Sequence, residues 1–158
     1  MSTLAVLALA SALAGEVVHT GNVRVALPPD EALDLFTAEG EIGWAPGWQP
    51  QYVSPPDGSP VVGGVWLTPD GANHTIWRVQ KFDRVTREAE YLRITPGNRV
   101  VTVRVSLAPD GEGSLATVTY RALAISEEGR AWLETFTADR YAAMMREWQD
   151  LIAAHLER

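Results

Sequence analysis

Proton transfer on a small molecule calls for a carboxyl or phenol held away from bulk water, and this sequence offers few. Glu90, Tyr91 and Tyr120 are the candidates, each lying in a run with strand character. A carboxyl carried into an apolar interior loses hydration of its charged form. Its pKa then rises towards neutrality, where it can both give and take a proton. Register decides whether Glu90 gets there. With Thr95 opposite Asn98 and a four-residue turn between Phe82 and Arg87, residues Trp77, Leu92 and Val101 share one face with Val79, Glu90 and Val103. Arg78, Tyr91 and Thr102 then take the other face. Val101, Val103 and Val105 alternate with Thr102, Arg104 and Ser106, which turns the valine side inward and brings Glu90 with it. Arg121 is an inward partner under the same register. The competing arrangement leaves Glu90 near a sheet end, or has a bulge turn it out to pair with an arginine.

Other chemistries lack their residues. His19, His74 and His155 sit on separate segments with no i, i+4 pair, so a metal site is not expected. There is no Gly-x-Ser-x-Gly elbow or phosphate loop, and the chain has no cysteine, which removes thiolate ligands, thiol nucleophiles and disulfides together. No cofactor is implied.

The aromatic residues point to binding. Six tryptophans in 158 residues are a large apolar payload, and each buried indole N–H needs an acceptor. Trp44 and Trp48 fall in Gly43-Trp44-Ala45-Pro46-Gly47-Trp48, which cannot continue a helix. They either form the mouth of a cavity or plug the loop onto the core. Tyr141, Met144 and Trp148 lie on one stripe of a C-terminal helix, as core or as the wall of an adaptable pocket. Trp44, Trp48, Trp77, Val101, Val103, Phe136, Tyr141, Met144 and Trp148 are together the expected lining.

The bulk properties fit one domain. Hydrophobic residues make up 46% of the chain, and 13 Lys and Arg against 20 Asp and Glu give a net charge of −7. That sign opposes phosphate backbones, and no basic run interrupts it, so nucleic acid is excluded as a partner. Leu4 to Leu13 is apolar, with Ala12-Leu13-Ala14 before Gly15 resembling a cleavage site, yet no Lys or Arg precedes it. Residues 1–15 are read as a signal peptide or an N-terminal extension and 16–158 as the domain. The protein is cytoplasmic in one case and exported to the periplasm in the other. The run is too short to span a membrane. A monomer and a homodimer both fit.

These groups are positioned by a strand, a short helical stretch, a run of hairpins and a final helix. Glu16–Leu27 alternates as a first strand, and Pro28-Pro29-Asp30 opens a helix that Gly40 ends. Turn signals at Pro56-Asp57-Gly58, Asp70-Gly71, Pro96-Gly97-Asn98 and Pro109-Asp110-Gly111 separate strands Val61–Thr68, His74–Phe82, Arg87–Thr95, Asn98–Leu107 and Ser114–Ile125, with Gln51–Ser54 a short extra one. Short loops make these an antiparallel meander. Ser126 then caps one helix running to Glu157, ~30 residues and ~45 Å long. The expected fold is α+β, a curved sheet of six or seven antiparallel strands wrapped around that helix, with an apolar cavity between them.

Three segments carry a family resemblance. Leu27-Pro28-Pro29-Asp30-Glu31-Ala32-Leu33-Asp34-Leu35-Phe36-Thr37 resembles the first strand-to-helix junction of the START-like, or SRPBCC, superfamily. Glu41-Ile42-Gly43-Trp44-Ala45-Pro46-Gly47-Trp48 is similar to the tryptophan-rich loop of its polyketide cyclase/dehydrase-like bacterial branch, and Thr117-Val118-Thr119-Tyr120-Arg121 to its last strand. The resemblance covers 16–158 and implies the helix-grip fold. That superfamily includes lipid carriers, hormone-binding proteins, cyclases and oxygenase subunits, so function must be argued from the site. Three functions are open: binding a lipid or polyketide-like molecule, cofactor-independent cyclase or dehydrase chemistry using Glu90, Tyr91 and Tyr120, and protein interaction through the tryptophan loop.

Overall fold

The computed structural model describes residues 15–158; the apolar run, read as a signal peptide or an N-terminal extension, lies outside the described residues. Seven antiparallel strands form one sheet in the order β1-β7-β6-β5-β4-β3-β2. They are β1 (Glu16–Val25), β2 (Gln51–Ser54), β3 (Val65–Asp70), β4 (Asn73–Asp83), β5 (Glu88–Thr95), β6 (Arg99–Asp110) and β7 (Gly113–Ala124). Strands β2 to β7 are the expected meander, and β1 returns beside β7 with Glu16 opposite Leu123 and Val25 opposite Ser114. Gly71 and Gly111 make the two-residue turns at φ +59° and +58°, a left-handed backbone that only glycine adopts without strain.

Register is where the structure departs from the reading above. On β6, Val101, Val103, Val105 and Leu107 are buried as expected, and on β7 so are Ala116, Val118, Tyr120 and Ala122. On β5, however, Ala89, Tyr91 and Thr95 are the buried residues, and Arg93 shares their face. Pro96-Gly97-Asn98 is a three-residue loop, so Thr95 stands opposite Arg99 rather than Asn98. A bulge between Val79 and Lys81 shifts β4 to match, placing Trp77 opposite Arg93 and Val79 opposite Tyr91. A slip of one residue exchanges the two faces of a strand, and β5 is turned over relative to the expectation.

Between β1 and β2 the chain makes α1 (Pro29–Ala32), a 3-10 turn (Leu33–Phe36) and α2 (Ala38–Glu41). Leu33 and Phe36 are almost wholly buried and anchor this stretch to the sheet. The Thr37 hydroxyl accepts the Gly40 N–H at 3.0 Å, capping α2 and dividing what the sequence suggested was one helix. Gly40 does not end a helix. It sits inside α2, where a Cβ would fall 1.9 Å from the Asp34 carbonyl oxygen.

The C-terminal rod is likewise two helices, α3 (Glu127–Thr135) and α4 (Ala138–Leu156). Ser126 caps α3 through the Gly129 N–H at 3.1 Å, as expected. Phe136 then leaves helical geometry at φ −87°, ψ 64°, and Thr137 starts α4 by accepting the Arg140 N–H at 3.2 Å. A threonine hydroxyl competes with the helical backbone for such donors, so a residue that fits the apolar stripe can still begin a new helix. The Phe136 carbonyl is taken instead by His19 Nε2, which donates at 2.7 Å. Helix α4 lies along β1, where Gly21 allows close approach: a Cβ there would stand 2.7 Å from Met145 Cγ. Tyr141, Met145 and Ile152 are buried beneath α4. No helix among the described residues is long and apolar enough to cross a membrane.

Candidate functional site

A cavity of about 330 Å³ lies between the inner face of the sheet, α4 and the segment from Ala38 to Trp48. Its walls are aromatic. Trp66 and Trp77 stack with ring centres 5.7 Å apart and planes 6° from parallel. Trp48 meets Trp77 edge-on at 5.3 Å, and across the cavity Trp44 meets Trp148 at 5.4 Å. Both loop indoles are anchored through their N–H groups, Trp44 to the Leu35 carbonyl and Trp48 to the Ala38 carbonyl, each at 2.8 Å. They plug the loop onto the helical stretch and form a wall of the cavity at once.

Of the expected lining, Trp44, Trp48, Trp77, Val103, Met144 and Trp148 border this cavity. Val101 is wholly buried in the core without lining it. Phe136 borders an adjoining chamber, and Tyr141 faces β1, stacked on His19 with its hydroxyl donating to the Val118 carbonyl.

The candidate acids are redistributed. Glu90 is not inward: it pairs across the outer face with Arg104 on β6 and Lys81 on β4. Those two cations bond Glu88 instead and hold its carboxyl down at about 2. Arg121 also points outward and pairs with Glu16. Tyr91 and Tyr120 do border the cavity. The Tyr91 hydroxyl is committed to the Phe36 carbonyl at 2.8 Å, whereas burial pushes the Tyr120 phenol up to about 12.

Two charged residues of the cavity were not anticipated. Glu41, the last residue of α2, borders the cavity, and loss of hydration raises its carboxyl to about 8 despite the opposing pull of Arg93. Arg93 borders the cavity too, with its guanidinium carbon 5.1 Å from the centre of the Trp77 ring. No N···O approach within 4 Å joins Glu41 to a cation among the described residues. Arg93 Nε and Trp66 Nε1 are buried donors without a partner. The site therefore combines flat apolar walls with a carboxyl poised to exchange a proton near neutral pH. Among the described residues no three His, Asp or Glu side chains gather in a way that could hold a metal ion.

No signal in the sequence separated Glu41 from a solvated acid, because a single helical turn has no periodicity to assign its sides. For Arg93, the alternation with Leu92 and Ile94 pointed the wrong way.

Solved structures share this architecture. Ara h 8.0201 superposes with a TM-score of 0.64 at 13% identity, over 91% of this chain and 100% of that one. Norcoclaurine synthase from Thalictrum flavum, in complex with dopamine and hydroxybenzaldehyde, gives 0.62 at 15% identity over 98% and 95%. DynU16, from the dynemicin biosynthetic locus, gives 0.57 at 16% identity over 92% of this chain and 48% of DynU16, so this chain spans about half of that protein. At these identities the likeness is one of fold. No protein-family profile and no curated protein matches the sequence.

Proposed function

From the helix-grip fold of the START-like superfamily, which this chain adopts, we propose that the protein binds a hydrophobic, flat small molecule in the cavity between sheet and α4. The observation that carries this reading is a volume of about 330 Å³ walled by Trp44, Trp48, Trp66, Trp77 and Trp148. That volume is in the range of small-ligand sites, and tryptophan faces favour planar apolar partners. Helix α4 contributes Met144, whose unbranched side chain adapts to different outlines. The complex of norcoclaurine synthase with two aromatic molecules gives the same fold a precedent for holding such a ligand. Native mass spectrometry of the purified protein, followed by solvent extraction, should reveal a retained molecule or take up an added planar one stoichiometrically. A protein that stays empty against a panel of planar hydrophobes would defeat the proposal.

A second reading is acid–base catalysis on the bound molecule without a cofactor, supported by Glu41. A carboxyl raised to about 8 in an apolar wall is suited to take or give a proton at neutral pH. In this version Glu41, with Tyr120 also in the lining, replaces the Glu90-centred arrangement. Turnover lost in Glu41→Gln, with ligand affinity kept, would separate catalysis from binding.

A protein-interaction role for the tryptophan loop finds less support. Trp44 is buried and Trp48 half-buried, with both indoles directed at the helical stretch and the cavity.

A further inference from the structure

Beside the tryptophan-walled cavity is a second chamber of about 460 Å³, between the break separating α3 from α4 and the adjoining ends of β5 and β6. The two share Arg93, Tyr120 and Met144 as a common partition. In a chain with a net charge of −7, this chamber is lined by Arg93, Arg99 and Arg140 against one carboxylate, Glu147. None of the three arginines has an acid within 4 Å among the described residues.

Arg99 is the most telling of them. It is only 7% exposed, lies flat on Trp132 with its guanidinium carbon 3.7 Å from the ring centre, and leaves its Nε without a partner. One other nitrogen donates to the Asn98 side chain at 2.7 Å. Arg140, on the rim, is held by the Thr135 hydroxyl at 3.0 Å. A guanidinium carries five donors, so each of these keeps several to offer. Burial and the nearby Arg93 and Arg140 charges lower the Arg99 pKa to about 10, with Asp70 opposing. Three like charges gathered around a single carboxylate, with none of them paired to it, cost stability, and an anion bound among them would reduce that cost.

We propose that this chamber receives the anionic group of an apolar acid whose hydrophobic body lies in the neighbouring cavity. The inference rests on the small-molecule reading above and narrows it to a class: a flat apolar molecule ending in a carboxylate or similar oxyanion. Arg99 and Arg140 hold the oxyanion, and Arg93, at the partition, reaches the point where head and body join.

The test uses two dyes that differ by one sulfonate, neutral anilinonaphthalene and anilinonaphthalenesulfonate. The wild-type protein should bind the sulfonate about tenfold more tightly than the neutral dye, the gain expected of a charge-assisted contact. Arg140→Gln and Arg99→Gln should remove most of that advantage and leave the neutral dye unaffected, and Arg140→Lys should restore part of it. Should Arg99→Gln unfold the protein, Arg140→Gln on the exposed rim carries the test alone. Equal affinity for the two dyes, or a sulfonate affinity indifferent to Arg140→Gln, would overturn the anion site while leaving the cavity reading intact. Failure of both dyes would overturn both. Excess inorganic phosphate, an anion with no apolar body, should leave the sulfonate bound; complete displacement would mark a free-anion site and reject the apolar acid.

Discussion

The Tyr91 hydroxyl, rising from the inner face of β5, donates a 2.8 Å hydrogen bond to the carbonyl of Phe36 at the end of the 3-10 turn. This contact ties the helical stretch to the floor of the cavity and so fixes Glu41, five residues further on.

Tyr91→Phe should therefore act on stability before chemistry. It leaves a buried carbonyl without its donor, at a cost of ~1–3 kcal/mol. Thermal unfolding should show the loss as a lowered Tm, with ligand affinity changed only modestly. A Tyr91→Phe protein of unaltered stability but abolished binding would mean that the hydroxyl serves the ligand instead.

Glu41 gives the protein a characteristic pH dependence. Its carboxyl is raised from 4.5 to about 8 by burial, so the folded state holds a proton that the unfolded chain releases. Between those two values the folded state binds more protons, and stability falls as pH rises through the window. Glu88, held down at about 2, acts in the opposite sense and only under acid conditions. Tm measured from pH 5 to 8 (roughly the span set by these values) should decline in the wild type and stay flatter in Glu41→Gln. Parallel profiles for the two proteins would show that Glu41 is not desolvated.

The break between α3 and α4 depends on His19, which satisfies the Phe136 carbonyl at 2.7 Å and stacks on Tyr141 at 5.4 Å. His19→Leu should cost ~1–2 kcal/mol. Hydrogen exchange should quicken at the first turn of α4, from Thr137 to Tyr141, with α3 and the sheet less affected. Uniform quickening across the whole chain would argue that His19 has no local role at the break.

These residues also mark how far the sequence could be read. The β6 valines disclose the inner face because that strand is apolar on one side only. The order of strands follows from turn residues such as Asp70-Gly71, which admit few connections. On β5 the same logic fails. Leu92 and Ile94 are apolar yet lie outward and half-buried, Ile94 between Ile76 and Val100 and Leu92 between Arg78 and Thr102 of the neighbouring strands. The polar Arg93 lies inward because it meets the Trp77 face. A loop one residue longer than expected and a bulge settle that choice, and neither has a side-chain pattern of its own. Thr137 illustrates a second limit: it matches the helix stripe and also caps, and only the donor that His19 offers to the freed Phe136 carbonyl decides between them. The tryptophans announced an aromatic site. The residues that give it polarity, Glu41 and Arg93, were hidden because their surroundings are assembled from distant parts of the chain.

The most direct test of a ligand-holding interior is to fill it. Val103 borders the cavity from the middle of β6, and Val103→Phe would project a ring into the open space. Titration of neutral anilinonaphthalene, followed by its emission and by tryptophan quenching, should give one site per chain in the wild type. Val103→Phe should weaken that binding by at least about tenfold while Tm stays unchanged or rises. Binding that persists undiminished in a folded Val103→Phe protein, or is absent from the wild type, would contradict a small-molecule site between the sheet and α4.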